Sequence, residues 1–418
     1  MRQRLLIAAL AASFATPFAH ADEVLNHFLP PDNAVKESLF NSPEIQSARA
    51  QKQANASHAQ AIDAGNAEFN FHTLRQRRLV PSTSERFAES SFGIERPIRL
   101  WGKRDLDQKL AIETASLADI EYADAIHEAS RTLLKHWFAW VRAQAQFANA
   151  QTSLEIAQHN ARLANTRLKH GEISQLDADL AHAELLRAQA AWQTSQADSL
   201  SSRANLQRRY PELSLTAPRL DQVLRQQDMP SELGDTSVLR EDFVASNHEL
   251  MYLRKDAQRL QLQGQRADKD RYSDPTLGVF STRERDGAEQ ITGVSVSFAF
   301  PGAARSHLAQ AALSQALAAQ EKVQASERAL SAEFEGMLTQ YQYKRTAALQ
   351  LREAANSQTQ AAEKSHTAFS LGEHSMTEML QSARLANDQR LAADLMHLEV
   401  LELRTTIELD LHRIYDFD

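Results

Sequence analysis

A chain that carries one long pattern twice has few folds open to it, and this chain repeats at a period of about 200 residues. Gly171-Glu172-Ile173-Ser174 and Gly372-Glu373-His374-Ser375 lie 201 residues apart, each inside a very long helical pattern. Glycine supplies backbone freedom that a helix interior does not want. The serine that follows can cap a new helix, with Asp177 or Glu378 in its first turn, where a carboxylate suits the positive helix end. Each site therefore reads as the tip of a helical hairpin. Gly102 lies 69 residues before the first tip glycine and Gly302 lies 70 before the second. Each follows a strand-like run, Arg96-Pro97-Ile98-Arg99-Leu100-Trp101 or Ser297-Phe298-Ala299-Phe300-Pro301. Ser42-Pro43-Glu44-Ile45 and Asn247-His248-Glu249-Leu250 open helical segments further upstream. Each half reads helix, strand, strand, very long helix, tip, helix.

The first half begins with an amphipathic stretch, Pro43 to Ala64. Ala67 to Val80 then alternates Phe69 and Phe71 with Asn70 and His72. After a Pro81-Ser82-Thr83-Ser84 turn, Phe92, Ile94, Arg96, Ile98 and Leu100 alternate with smaller or polar residues, which predicts a two-stranded hairpin. From Lys103 to His170 the pattern is helical and would run roughly 100 Å. Its later part follows a heptad, Leu133, Trp137, Trp140, Gln144, Phe147, Gln151, Leu154 and Gln158, with polar interruptions in the seam. The returning helix, Gln175 to Arg209, stops at Tyr210-Pro211. Residues 211–242 carry three prolines and Gly234 and read as a mostly irregular insertion with short helices. In the second half Thr276 to Thr282 and Ile291 to Phe300 flank an Asp286-Gly287 turn. Thr292, Val294, Val296, Phe298 and Phe300 fall on one face of the latter strand, with Gly293, Ser295, Ser297 and Ala299 on the other. Ala303 to Leu371 gives the second long helix, with Leu330, Phe334, Met337 and Tyr341 in its seam, and Glu373 to Tyr415 returns. The division expected is a signal peptide at 1–21, a first repeat at 22–210, the insertion at 211–242 and a second repeat at 243–418.

The signal peptide rests on Arg2 and Arg4, a short apolar core from Leu5 to Phe14, and Ala19-His20-Ala21 as a small-residue cleavage site. That apolar run is too short to span a bilayer, and no other stretch approaches ~18 apolar residues. The chain has no cysteine, hence no disulfide and no thiol for a lipid anchor. Its net charge is −8, and cleavage would remove two of its basic residues. An acidic chain argues against nucleic acid as a partner and favours attraction of cations. Only 12 glycines occur in 418 residues, which suits long helices.

An enzyme needs a constellation of reactive groups, and the sequence offers neither a phosphate-cradling glycine loop nor a His-Glu-x-x-His pair. No catalytic residue, cofactor or metal ligand is assigned. The 15 histidines are scattered, and His136, His159 and His182 read as solvated helix residues. Met376 and Met379 read as packing at the second tip, and Trp137 and Trp140 as seam residues. A strand with one apolar and one small, polar face fits either a half-buried soluble sheet or a barrel with lipid outside and water inside. Four such strands cannot close a membrane barrel, because open edges are not tolerated in lipid. If they span, several chains must share one barrel. Three chains would supply twelve strands and twelve helical staves.

This arrangement resembles the TolC family of outer-membrane efflux channels over essentially the whole mature chain. The resemblance rests on the duplicated plan, on the paired tips Gly171/Ser174/Asp177 and Gly372/Ser375/Glu378, and on Asp274-Pro275-Thr276-Leu277-Gly278 with its hairpin. Pro97-Ile98-Arg99-Leu100-Trp101-Gly102-Lys103-Arg104 looks like the strand-to-helix junction of the cobalt-zinc-cadmium branch, which usually has a further glycine where this chain has Trp101. The resemblance implies a mainly α fold with a β-barrel portion: a homotrimeric α-barrel topped by a shared twelve-stranded barrel, four strands per chain. It implies a passive conduit from periplasm to exterior, seated in outer-membrane lipid and docked through its tips onto a periplasmic adaptor and an inner-membrane pump of the proton-driven RND type. It also places a gate at the tips. Asp177 and Glu378 would form a ring of six carboxylates, flanked by Glu172 and Glu373, with His374 at a link position. Gly171, Ser174, Gly372 and Ser375 would shape the turns that meet the adaptor. Divalent metal cations are the expected cargo, ahead of organic molecules and secreted polypeptides. A periplasmic adaptor or a structural coiled coil is the rival class, but an adaptor shows one hairpin between β-domains, and a coiled coil needs no alternating strands.

Overall fold

The computed structural model describes residues 28–213, 215 and 233–417. The expected signal peptide and most of the insertion lie outside the described residues. The elements run α1 (Asp32–Phe40), α2 (Pro43–Ala64), β1 (Asn70–Val80), β2 (Glu85–Pro97), α3 (Lys103–Lys169), α4 (Gln175–Arg209), α5 (Thr236–Ser246), α6 (His248–Lys269), β3 (Thr276–Glu284), β4 (Glu289–Ser297), α7 (Ala303–Ser370) and α8 (Met376–Asp410). A single turn of 3₁₀ helix, Arg285–Gly287, joins β3 to β4.

The duplication is carried through in length. The helices α2 and α6 have 22 residues each, α3 and α7 have 67 and 68, and α4 and α8 have 35 each. A short helix precedes each 22-residue helix, an element the sequence pattern did not reveal in the first half. Ser42 and Asn247 close these pairs in the same way, accepting the backbone N–H of Ile45 and Leu250 on their side chains. The last residues of the expected insertion, 236–242, form the start of α5.

Each long helix is flanked by the 22-residue helix that precedes its hairpin and by the returning helix: α3 by α2 and α4, α7 by α6 and α8. The repeats also interlock, since α3 touches both α6 and α8. The largest apolar cluster shows why. Leu133, Trp137, Phe138 and Val141 of α3 pack with Leu398 and Leu401 of α8, with Ile414 and Tyr415 near the chain's end, and with Phe28 and Leu39 near its start. Tyr415 Oη donates to the Pro30 carbonyl at 2.6 Å, tying the two ends together. Trp137 and Trp140 meet edge-on at 5.1 Å, as seam residues. The seam then departs from the expected heptad: Gln151 is exposed, and Ala157, Asn160, Ala161 and Ala164 are buried instead. Small residues let the neighbouring helix approach more closely than glutamine would. In α7, Leu330, Phe334 and Tyr341 are buried in a second cluster with Met337 against it, as the spacing predicts.

The four strands form one antiparallel sheet in the order β1-β2-β3-β4. Both expected hairpins are present. β2 ends at Pro97, so Ile98 and Leu100 leave the ladder, and β4 ends at Ser297, so Phe298 and Phe300 lie beyond it. At the junction below the sheet, Lys103 is 1% exposed and its Nζ donates to the Tyr272 carbonyl at 2.8 Å and Asp274 Oδ1 at 2.9 Å. Asp107 joins Arg99 and Arg266 at 2.9 and 2.6 Å. Trp101 has φ +52, the left-handed conformation that glycine adopts without strain.

Candidate functional site

The two hairpin tips are built alike from the backbone up. At the first, Gly171 has φ +73, its N–H donates to the Leu168 carbonyl at 2.9 Å, and the Glu172 N–H donates to the Arg167 carbonyl at 2.9 Å. At the second, Gly372 has φ +79, and the Gly372 and Glu373 N–H groups reach the Phe369 and Ala368 carbonyls at 3.1 and 2.9 Å. This pair of bonds is the Schellman closure, which needs a left-handed residue and satisfies the last helical carbonyls. The next helix then starts on a reciprocal cap. The Ser174 N–H and hydroxyl donate to Asp177 Oδ2 at 3.2 and 2.7 Å, and the Asp177 N–H donates back to Ser174 Oγ at 3.1 Å. Ser375 and Glu378 repeat this at 2.8, 2.8 and 3.2 Å.

Within the chain, then, Asp177 and Glu378 are bound to the ends of their own helices. The hydrogen bond from the Ser375 N–H, followed by the Ser375 hydroxyl and the nearby His374, holds the Glu378 carboxyl below the usual glutamate range. His374 is exposed, and its Nδ1 lies 3.1 Å from Ser365 Oγ. Glu172 stands 3.8 Å from Arg167 Nε, and Glu373 is exposed. A small apolar cluster joins the two tips: Ala164, Ala181, Phe369, Met376 and Met379 are buried, with Ile173 packed against them. Both methionines are thus hairpin-tip packing. Arg167 is the residue that sequence reading missed. Its guanidinium lies 4.4 Å over the Phe369 ring and its Nη1 donates to the Phe369 carbonyl at 3.3 Å, fastening one hairpin to the other across 202 residues. No local pattern signals such a partner.

The sheet presents two unlike faces. The register aligns Phe71, Ile94, Val279 and Val294 in one row across all four strands. These side chains are 69%, 42%, 53% and 80% exposed within the chain. Phe92, Leu277 and Val296 extend the same face, and Arg75, Arg77 and Arg86 follow on it toward the hairpin turns. The opposite face mixes small and polar residues with Leu74, Phe87, Phe280 and Ile291. There His72, Gly93, Phe280 and Gly293 form a row, and Glu89, 3% exposed, sits between Gln76 at 2.9 Å and Arg78 at 2.9 Å. A Cβ on Gly293 would meet the Phe280 ring at 2.8 Å, so the ring lies over the glycine and a side chain there would displace it. Among the described residues no helix is long and apolar enough to cross a membrane.

A sheet with one apolar, exposed face, carried on paired helical hairpins, has known counterparts. Residues 34–210 match the outer membrane efflux protein family. The matched segment is the first repeat, whose architecture the second repeat copies. No curated protein matches the chain in sequence. Among solved structures, the outer-membrane channel OprN superposes with a TM-score of 0.79 at 16% identity, covering 95% of this chain and 94% of that one. The outer membrane protein VceC from Vibrio cholerae gives 0.72 at 15% identity, with 94% and 96% covered. The Campylobacter jejuni CmeC outer membrane channel gives 0.71 at 14% identity, with 94% and 86% covered. The expected TolC-like channel fold is therefore present over nearly the whole chain. Of the histidines, His159 and His182 are exposed, as expected, whereas His136 is half-buried. Remote from the tips, His127, His248 and His412 bring their ring nitrogens together.

Proposed function

We propose that this chain is the outer-membrane conduit of a tripartite efflux system, a homotrimer that works with a periplasmic adaptor and an inner-membrane pump of the RND type. The observation that carries this reading is the sheet: four strands, an exposed apolar row, a more polar reverse face and, among the described residues, no covering layer, set on hairpins of roughly 100 Å. Such a sheet is stable in lipid only when closed, and three copies close it. The conduit carries out no covalent chemistry. Divalent cations are the cargo favoured by the acidic chain and by the resemblance of the Pro97–Arg104 junction to the heavy-metal branch. The tips are the periplasmic gate, with Asp177 and Glu378 near its opening and His374 linking neighbouring hairpins.

Conductance of the purified protein in planar bilayers tests this. A small, cation-selective pore is expected. Asp177→Asn with Glu378→Gln should lower cation selectivity, and His374→Ala should raise the conductance by removing the link. Unchanged conductance in His374→Ala would overturn the histidine link and leave the channel standing. Failure to insert at all would overturn the channel.

A further inference from the structure

About a third of the way along α3, far from both tips, three histidines from distant parts of the chain meet. His127 projects from α3, His248 is the first residue of α6, and His412 follows the end of α8. The rings stand 5.6 Å apart for His127 and His248, 5.1 Å for His127 and His412, and 4.9 Å for His248 and His412. One ring nitrogen from each lies within 4.8 Å of the others. Ligands on a tetrahedral zinc ion are about 3.4 Å apart, so the triangle must tighten by about an ångström or more to hold one. The rings line a cavity of about 260 Å³ with Asp124, Glu128, Glu333 and Asp410.

Two details fit a ligating triad. Asp410 Oδ1 lies 3.2 Å from His127 Nε2, and Arg131 holds the same oxygen at 2.5 Å. A carboxylate on one ring nitrogen of a ligating histidine fixes its tautomer and leaves the other lone pair for the cation. His412 occupies the left-handed position of a Schellman closure, with φ +55; its N–H donates to the Leu409 carbonyl at 2.9 Å and the Arg413 N–H to the Glu408 carbonyl at 2.9 Å. The two tips place glycine there. Histidine is among the non-glycine residues that adopt this conformation most readily, and here it carries the ring toward His127 and His248.

We propose that His127, His248 and His412 form a binding site for a divalent transition ion of the zinc class, with water completing the shell. Imidazole nitrogens select zinc, cobalt, nickel or copper over calcium and magnesium, which take oxygen. The site joins α3 of the first repeat to α6 and the end of α8 in the second, so the ion braces the junction of the two repeats. It does not depend on what the conduit carries.

The test uses the full-length protein in detergent, free of any histidine tag, stripped with chelator and then dialysed against zinc or cobalt. One zinc ion per protomer and the visible absorption of tetrahedral cobalt are expected. Zinc should also raise the thermal midpoint. His412→Gly is the decisive variant, because glycine suits the helix end while removing the ligand. It should fold, bind no stoichiometric zinc and show no thermal shift, whereas His159→Ala, at an exposed histidine, should behave as the unmodified protein. No stoichiometric zinc in the unmodified chain, or full retention in His412→Gly, would overturn the proposal.

Discussion

Ser375 and Glu378 carry their part of the tip through one reciprocal pair of hydrogen bonds, so the cost of losing it can be stated in advance. Ser375→Ala should cost about 1 kcal/mol, confined to the first turn of α8 and read as faster amide exchange there. Gly372→Ala should cost a further ~1–2 kcal/mol, because φ +79 is a left-handed position. His397 gives a second residue-level test. It is 3% exposed on α8, and burial, followed by the nearby Arg352, lowers its pKa to about 4. The folded chain therefore keeps His397 neutral, while the unfolded chain takes up a proton near pH 6.5. Its contribution is complete above that pH and is lost as the pH falls toward 4, by about 3 kcal/mol per protomer. Denaturation midpoints measured across this window should fall with pH, and His397→Met should flatten the slope. The tip residues were legible in the sequence because glycine, serine and a carboxylate act within six residues of one another. Arg167 and the histidine triad were not, because each depends on partners more than 100 residues away.

Among the elements, the strands and long helices were legible to within a few residues, and the reason is local. Period-2 alternation fixes which side chains share a face, and proline, glycine and capping residues mark the ends. The seam of α3 was less legible beyond Trp140, because a heptad of large residues and a run of alanines both fit a helix there and only the neighbouring helix decides between them. The sheet yields the sharper prediction. Val296 lies on the apolar face and Ser297 on the more polar one. In the proposed barrel, Val296→Arg should cost about 2–4 kcal/mol near the bilayer midplane and abolish outer-membrane assembly, whereas Ser297→Arg should assemble. Heat-modifiable migration of membrane fractions on gels separates the two, and equal behaviour would count against the barrel.

At the scale of the whole molecule, the open question is what completes the sheet. β1 and β4 each have a strand neighbour on one side only, so within one chain both edges offer unpaired backbone groups. Exposed edges of this kind are sites of association, and an apolar face such as that of Phe71, Ile94, Val279 and Val294 has no reason to remain in water. Pairing β4 of one copy with β1 of the next satisfies both edges at once, and the operation repeats until the ring closes. Three copies give twelve strands, which lies within the range of membrane barrels, whereas two would give eight with little room for a lumen. The helices need a matching closure, since Leu308, Leu317 and Tyr343 on α7 are exposed in the isolated chain. The expected outcome is a detergent-solubilised trimer in native mass spectrometry. A charge reversal that disturbs only the outer edge of β4 should leave monomers with intact helical hairpins. A stable monomer that needs no detergent would show instead that the sheet closes on something other than its own copies.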